Sequence, residues 1–275
     1  MRQAIEDVKA AHGLSERRAC RLLGAHRSVI RYGFRRDRQE RLRFEIRGVA
    51  AARPRFGYRR VHAILVADGH RINHKRVQRL YREERLQLPR RRGRKRGLGR
   101  LREIVRPVRP HQRWHMDFVS DSLADGRRFR VLTIVDAFSR FAPGIEIATS
   151  LPARRVLRQL DKLIALYGQP EAITVDHGPE FTSRAMIFWA RSRGIKLDFI
   201  DPGRPMQNGH VESFNGKFRD ECLSQTWFID LPDAARAIED WRIDYNTRRP
   251  HSALGNIPPQ AFIDRFNAGQ LGHVA

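Results

Sequence analysis

Three carboxylates stand where a chain does not readily put them. Asp117 interrupts a short apolar run of Trp114, Met116, Phe118 and Val119, where strand propensity and burial both disfavour a charge unless something positive holds it. Asp176 ends the run Ala172 to Val175 and is followed by His177, Gly178, Pro179, Glu180 and Phe181. Its side chain therefore projects from a strand end into a loop, which is where such sheets build sites. Glu212 lies beside Val211, Phe214, Phe218 and Cys222, which recur at helical spacing and mark the buried side of a helix from about 207 to 223. Three hard oxygen ligands in one cleft suit one or two Mg²⁺ or Mn²⁺ ions, which bind phosphates, activate a hydroxyl nucleophile and stabilise the leaving oxygen of an in-line displacement. That chemistry cuts or joins phosphodiesters. Among 30 acids any three can be singled out, so the weight rests on their placement in a strand, at a strand end and on a helix.

The segments that must position them alternate strands with helices. Residues 114–119, 129–138 and 144–149 read as three strands joined by short turns containing Asp125-Gly126 and Pro143-Gly144. Pro152 starts a helix whose apolar stripe is Val156, Leu157, Leu160, Leu163 and Ile164, and Gly168 closes it. A fourth strand over 172–176, a helix over 182–193 ended by Gly194, and a fifth strand over 195–200 follow. This order predicts an α/β domain, a mixed five-stranded sheet with helices against it. The 35 residues between Asp176 and Glu212 accommodate a helix, a strand and a loop, which is reach enough to bring the acids together.

Ahead of this region the composition changes. The chain of 275 residues has 54 Lys+Arg against 30 Asp+Glu, a formal net charge of +24, with 41% apolar residues, so it is a folded protein suited to polyanions rather than a disordered basic tail. Residues 1–110 hold 33 of the basic and 10 of the acidic residues, leaving 21 and 20 for residues 111–275. A basic front on a neutral back is the footprint of a nucleic-acid-binding module, because neutralising phosphates and releasing counterions supplies sequence-independent affinity. Residues 4–11, 15–23 and 26–32 read as three short helices broken at Gly13 and Gly24, the third carrying Arg27 and Arg31. A small helical bundle has the same pattern. Residues 55–86 read as a second helical pair, with Val61, Ile64 and Leu65 on one helix, Gly69 as a stop, Asn73 as N-cap, and Val77, Leu80 and Tyr81 on the next. That second helix carries Lys75, Arg76, Arg79 and Arg82, which suits phosphate contacts in duplex DNA. Residues 89–110, with ten Lys+Arg, one acid, three Gly and three Pro, read as a basic linker, either lying along DNA or a solvated tether.

Cys20 and Cys222 are the two cysteines, which excludes a disulfide framework and Cys/His zinc spacing and points to a reducing, cytoplasmic setting. No stretch approaches the roughly 18 apolar residues of a membrane span, so neither a membrane nor a small-molecule substrate is an expected partner.

The strings W-x-x-D-F at 114–118, D-x-G-x-E-F at 176–181 and N-G-x-x-E-S-F-N at 208–215 resemble the D,D(35)E pattern of integrase-core transposases. The closest likeness is to the second-frame (orfB) transposases of bacterial insertion sequence family 3, over nearly the whole chain. Residues 55–88 resemble that family's helix-turn-helix segment, and Tyr245-Asn246 with Arg249 to Gly255 resemble its C-terminal string. The resemblance implies an RNase H-like core, binding of element ends, Mg²⁺-dependent strand cleavage by water, and strand transfer by the freed 3′-hydroxyl. It gives Asp117, Asp176 and Glu212 the metal-ligand roles, and Arg219, seven positions after Glu212 and so on the same helix face, a phosphate-holding role; a surface salt bridge is the alternative there. It also implies double-stranded DNA, at element ends and target, and further copies of the chain as partners, acting at the bacterial nucleoid. His177 departs from the family's usual Asn. Asp136 matches no ligand position and reads as a structural acid at a turn, while Asn208 and His210 are candidates for orienting Glu212 or the DNA, or for local capping. The chain divides accordingly into helical segments at 1–49 and 50–88, a linker at 89–110, the core at 111–228 and a helical extension at 229–275.

Overall fold

The computed structural model describes residues 1–28, 39–89, 107–201 and 208–270. The chain forms two compact units, Met1–Phe44 and Glu45–Ala275. In the first, α1 (Arg2–His12) and α2 (Glu16–Leu22) bury Ile5 against Ala19 and Cys20. The expected third helix over 26–32 falls from residue 29 outside the described residues, and Arg31 with it; the linker is outside them over 90–106.

The second unit opens with α3 (Glu40–Ala52), which begins just ahead of the boundary and which the apolar pattern had not revealed, since Ile46 is the residue it buries while Phe44 stays 71% exposed. Helices α4 (Tyr58–Ala67) and α5 (His74–Glu83) pair through Val61, Leu65, Val77, Leu80 and Tyr81. Gly69, at φ 93°, makes the turn that a side-chain-bearing residue would resist. Asn73 caps α5, its side chain accepting from the Lys75 N–H at 2.9 Å.

The five strands are β1 (Arg113–Ser122), β2 (Arg128–Asp136), β3 (Gly144–Ala148), β4 (Ala172–Val175) and β5 (Lys196–Phe199), in the spatial order β3-β2-β1-β4-β5. The first three are antiparallel, and β4 and β5 add parallel to β1. The expected mixed sheet is therefore present, each strand within two residues of its expected ends save for β1, which runs three residues further. The parallel strands are reached through α6 (Ala153–Tyr167) and α7 (Arg184–Ser192), and α8 (Gly209–Glu221), α9 (Leu231–Thr247) and α10 (Pro259–Asn267) follow the sheet.

Strand alternation sorts the sheet's two faces. Trp114 and Met116 of β1 and Leu132 and Ile134 of β2 join Val156, Leu160 and Leu163 of α6 and Met186 and Trp189 of α7 in one core. Val119, Phe129, Val131 and Val135 point the other way, into a core with Val211, Phe214 and Phe218 of α8 and Ala234, Ile238 and Tyr245 of α9. The helices after residue 229 thus complete the second layer of the sheet.

Candidate active site

Asp117 shares its sheet face with His115 and Val119, the face that α8 covers. It pairs in register with Thr133, whose hydroxyl donates to the Asp117 backbone carbonyl at 3.1 Å. Its carboxylate accepts from the Phe118 N–H at 2.7 Å and from the Asn215 side-chain amide of α8 at 2.8 Å. Burial pushes the Asp117 carboxyl above the usual range, and the negative charges of Asp176 and Glu212 push it further, against the pull of those two hydrogen bonds. The other two acids therefore sit within electrostatic reach of Asp117.

Asp176 follows β4 and turns back on its own loop, accepting from the Gly178 N–H at 2.9 Å. A Cβ at residue 178 would stand 3.0 Å from that same Asp176 oxygen, so glycine is what allows the loop to close on the carboxylate. Glu180, in the same loop, is not free for a ligand role: it pairs with Arg130, whose guanidinium lies 4.3 Å from the Phe118 ring centroid. Phe118 in turn stacks on Phe181 at 5.0 Å. The loop string thus divides its work, Asp176 toward the cleft and Glu180 with Phe181 into the packing that holds the loop.

Glu212 is exposed, one turn into α8. Asn208 and Asn215 lie one turn either side of it on the same helix face, and both are tied to β1. Asn208 Oδ1 is 2.8 Å from His115 Nδ1 and its amide nitrogen 3.5 Å from the Met116 carbonyl. Its side chain makes no helix-cap bond, so Asn208 ties the start of α8 to β1 rather than capping the helix. These two amides lay α8 along β1 with Glu212 between them. Among the described residues no three of His, Cys, Asp and Glu close to a metal-holding set, so the acids converge without meeting at one point. As donors they fit a hard divalent cation: all are carboxylate oxygens, and the repulsion that lifts Asp117 is what such a cation would relieve.

Asp136 is fully buried and accepts from the His111 N–H at 3.0 Å, the Ser139 N–H at 2.8 Å and the Ser139 hydroxyl at 2.5 Å, the structural acid at a turn that its sequence context suggests. His177 is exposed, its ring 5.3 Å from that of Phe199. Arg219 is exposed, and no described carboxylate pairs with it. On α5, Lys75, Arg76, Arg79 and Arg82 are exposed opposite the buried stripe, with Arg79 also 2.7 Å from Glu83; in the first unit Arg27 pairs with Glu16 at 3.1 Å. Sequence reasoning passed over Arg140 and Lys217, and named Arg249 as part of the C-terminal string without its burial. The i, i+3, i+7 spacing of His210, Ser213 and Lys217 was the available signal for a second polar face on α8.

The sheet, its two helical layers and the acid-bearing strand, loop and helix define an integrase-core protein. Integrase core domain families match residues 107–205 and 193–259, and an HTH-like domain family matches residues 35–94. A solved simian T-cell lymphotropic virus intasome in complex with PP2A regulatory subunit B56 gamma has a chain with this fold, at a TM-score of 0.52 and 20% identity over 73% of this chain and 69% of its own. The insertion element IS407 31.7 kDa protein of Burkholderia multivorans is 45% identical over 95% of both chains. The IS476 39.2 kDa protein of Xanthomonas euvesicatoria is 42% identical over 99% of this chain and 79% of its own. The chain belongs to the insertion sequence family 3 transposases, DDE-type enzymes that cleave and integrate DNA.

Proposed function

We propose that Asp117, Asp176 and Glu212 are the catalytic ligands of this transposase and hold one or two divalent cations, Mg²⁺ or Mn²⁺. The observation that carries this reading is the pair of amide ties, Asn208 to His115 and Asn215 to Asp117, that set Glu212 beside β1 while Asp117 feels the charge of both other acids. Bound there, the cations would supply positive charge to the attacking and leaving oxygens of an in-line displacement. The chain's own part is positional. Gly178 lets Asp176 fold into the loop, Asn215 fixes the Asp117 carboxylate, and Arg219, exposed on the Glu212 face of α8, offers a phosphate contact.

In the reaction that this reading assigns, water attacks a phosphorus at the element end, the bond to the 3′-oxygen breaks, and that oxygen leaves as a hydroxyl. The 3′-hydroxyl then attacks a target phosphodiester, forming one P–O bond as another breaks. Double-stranded DNA is the partner, held by Lys75, Arg76, Arg79 and Arg82 of α5 and by Arg27 and Arg31, and joining two ends calls for at least a second copy of the chain. No described helix is long and apolar enough to cross a membrane, and the bacterial cytoplasm is the proposed setting. We keep the functional division at 1–49, 50–88, 89–110, 111–228 and 229–275. The test is to incubate the protein and Mg²⁺ with labelled duplexes cut from the DNA flanking its own reading frame: joined products are expected, and nicking without any joining would overturn the transfer step.

A further inference from the structure

A cavity of about 340 Å³ lies on the side of α8 turned away from Glu212. Four cationic side chains line it: Arg60 of α4, Arg140 from the turn after β2, Lys217 of α8 and Arg249 from the C-terminal string, with His210 and His251 between them. The charge is poorly balanced. Glu221 takes Arg249 through two bonds of 2.6 Å and stands 3.6 Å from Arg60. Arg140 donates to the Ala137 carbonyl at 2.7 Å and to His210, and Lys217 donates to the Ser213 hydroxyl at 3.0 Å; neither meets a carboxylate among the described residues. Burial, with Arg249 and Arg60, drives the Lys217 ammonium down from 10.5 to about 8. Burial and the neighbouring cations likewise keep His251 neutral, at about 2. His251 is 4% exposed, and its Nε2 has no hydrogen-bond partner.

Four cations around one carboxylate, two of them without a carboxylate partner among the described residues, make a cavity that an anion would complete. Two guanidinium forks and an ammonium match the tetrahedral oxygens of a phosphate. The walls come from the HTH-like segment through Arg60 and from the catalytic unit through Arg140, Lys217 and Arg249.

We propose that this cavity seats one phosphate of the DNA backbone, gripped jointly by the end-binding segment and the catalytic unit, as an anchor apart from the reacting phosphodiester. The proposal rests on the transposase reading only for its choice of DNA as the source of the phosphate.

The test is binding without divalent ions, so it does not depend on chemistry taking place. The full chain, Lys217→Gln, Arg140→Gln and Lys217→Arg are titrated with a mixed-sequence duplex across a salt series, and unfolded thermally in inorganic phosphate or in chloride of equal ionic strength. In each Gln variant the slope of log K against log salt becomes shallower by about 0.9, the value of one lost phosphate contact, and Lys217→Arg keeps the original slope. Inorganic phosphate raises the melting temperature of the original protein and not of Lys217→Gln. Unchanged slopes in Gln variants that keep their circular dichroism spectrum overturn the proposal. Stabilisation by inorganic phosphate without a change in duplex binding also overturns it, leaving a free-anion site instead. If Lys217→Gln does not fold, Arg140→Gln, half-buried in the turn after β2, decides alone. A protein that binds as described yet joins no DNA contradicts the catalytic reading and leaves this one standing.

Discussion

Arg249→Met tests whether the C-terminal string is held in the core by a buried ion pair. Arg249 is 1% exposed and forks onto both oxygens of Glu221 at 2.6 Å each, with its guanidinium 5.6 Å from the ring centroids of Phe56 and Tyr245. Methionine keeps the aliphatic reach and removes the charge. Breaking a buried pair and stranding its partner costs about 3–5 kcal/mol. Here Arg60 remains 3.6 Å from Glu221, and repulsion between Arg249 and Lys217 is relieved, so the lower end, about 3 kcal/mol, is expected. Arg249→Met/Glu221→Gln removes both charges, and should recover at least half of that loss because no buried charge is left unpaired. Urea unfolding followed by tryptophan fluorescence, with unchanged m-values, measures both. A single variant that loses less than about 1 kcal/mol, or a double variant that loses the sum of the singles, would refute the buried-pair argument.

Three further outcomes are expected. Asp117→Asn, Asp176→Asn and Glu212→Gln each fold and bind duplex, lose the rise in melting temperature that Mn²⁺ gives the original protein, and lower end joining by about 10³-fold; a joining-competent Asp117→Asn alongside a dead but folded Asp136→Asn would show that the wrong strand acid was chosen. Gly178→Ala, whose Cβ would stand 3.0 Å from Asp176 Oδ1, folds but slows joining about 10- to 100-fold by displacing that carboxylate, and full activity would contradict it. Lys217, faced by Arg60 from α4, Arg140 and His210, Arg249 and His251, with Glu221 on its own helix, loses its proton as pH passes about 8, so metal-free duplex affinity falls between pH 7 and 9 more steeply than in Lys217→Arg. The sign for stability is opposite: the folded pKa lies below the unfolded value of 10.5, so the cost of the buried ammonium is present below about 8 and is relieved as pH rises toward 10.5. Stability that falls through this window relative to Lys217→Gln would count against the burial.

The sheet was legible because its strands are short, apolar and punctuated: Asp125-Gly126, Pro143-Gly144, Pro152, Gly168 and Gly194 each mark a boundary that the structure honours within a few residues. Asp117 and Asp136 sit in equally apolar runs, and local sequence alone does not separate them. What separates them is the partner each meets across the fold, the Asn215 amide for one and the Ser139 turn for the other. Helix α3 escaped notice although Leu42, Ile46 and Val49 recur at helical spacing, because Ile46 alone is fully buried and Phe44 beside them faces out. Arg249 was readable as part of a string but not as a buried residue, since burial of a guanidinium depends on a carboxylate 28 positions earlier.

Helix α8 ties these observations together. At 3.6 residues per turn, Val211, Phe214 and Phe218 form one stripe, Asn208, Glu212, Asn215 and Arg219 a second, and His210, Ser213 and Lys217 a third. The first is buried against β2 and α9, the second lies along β1 with the cleft acids, and the third walls the cationic cavity. An apolar stripe alone would fix the helix's distance from the sheet and leave its rotation and axial position loose. The two amide bonds to β1 set both, and so set where the exposed Glu212 carboxylate can reach. A phosphate in the cavity would pull on Lys217 from the other side of the same helix. Since the element is rigid, an anchor far from the reacting atoms can still steady the ligand that touches them, which is why loss of the Lys217 contact is expected to show in duplex binding first and in joining through the placement of Glu212.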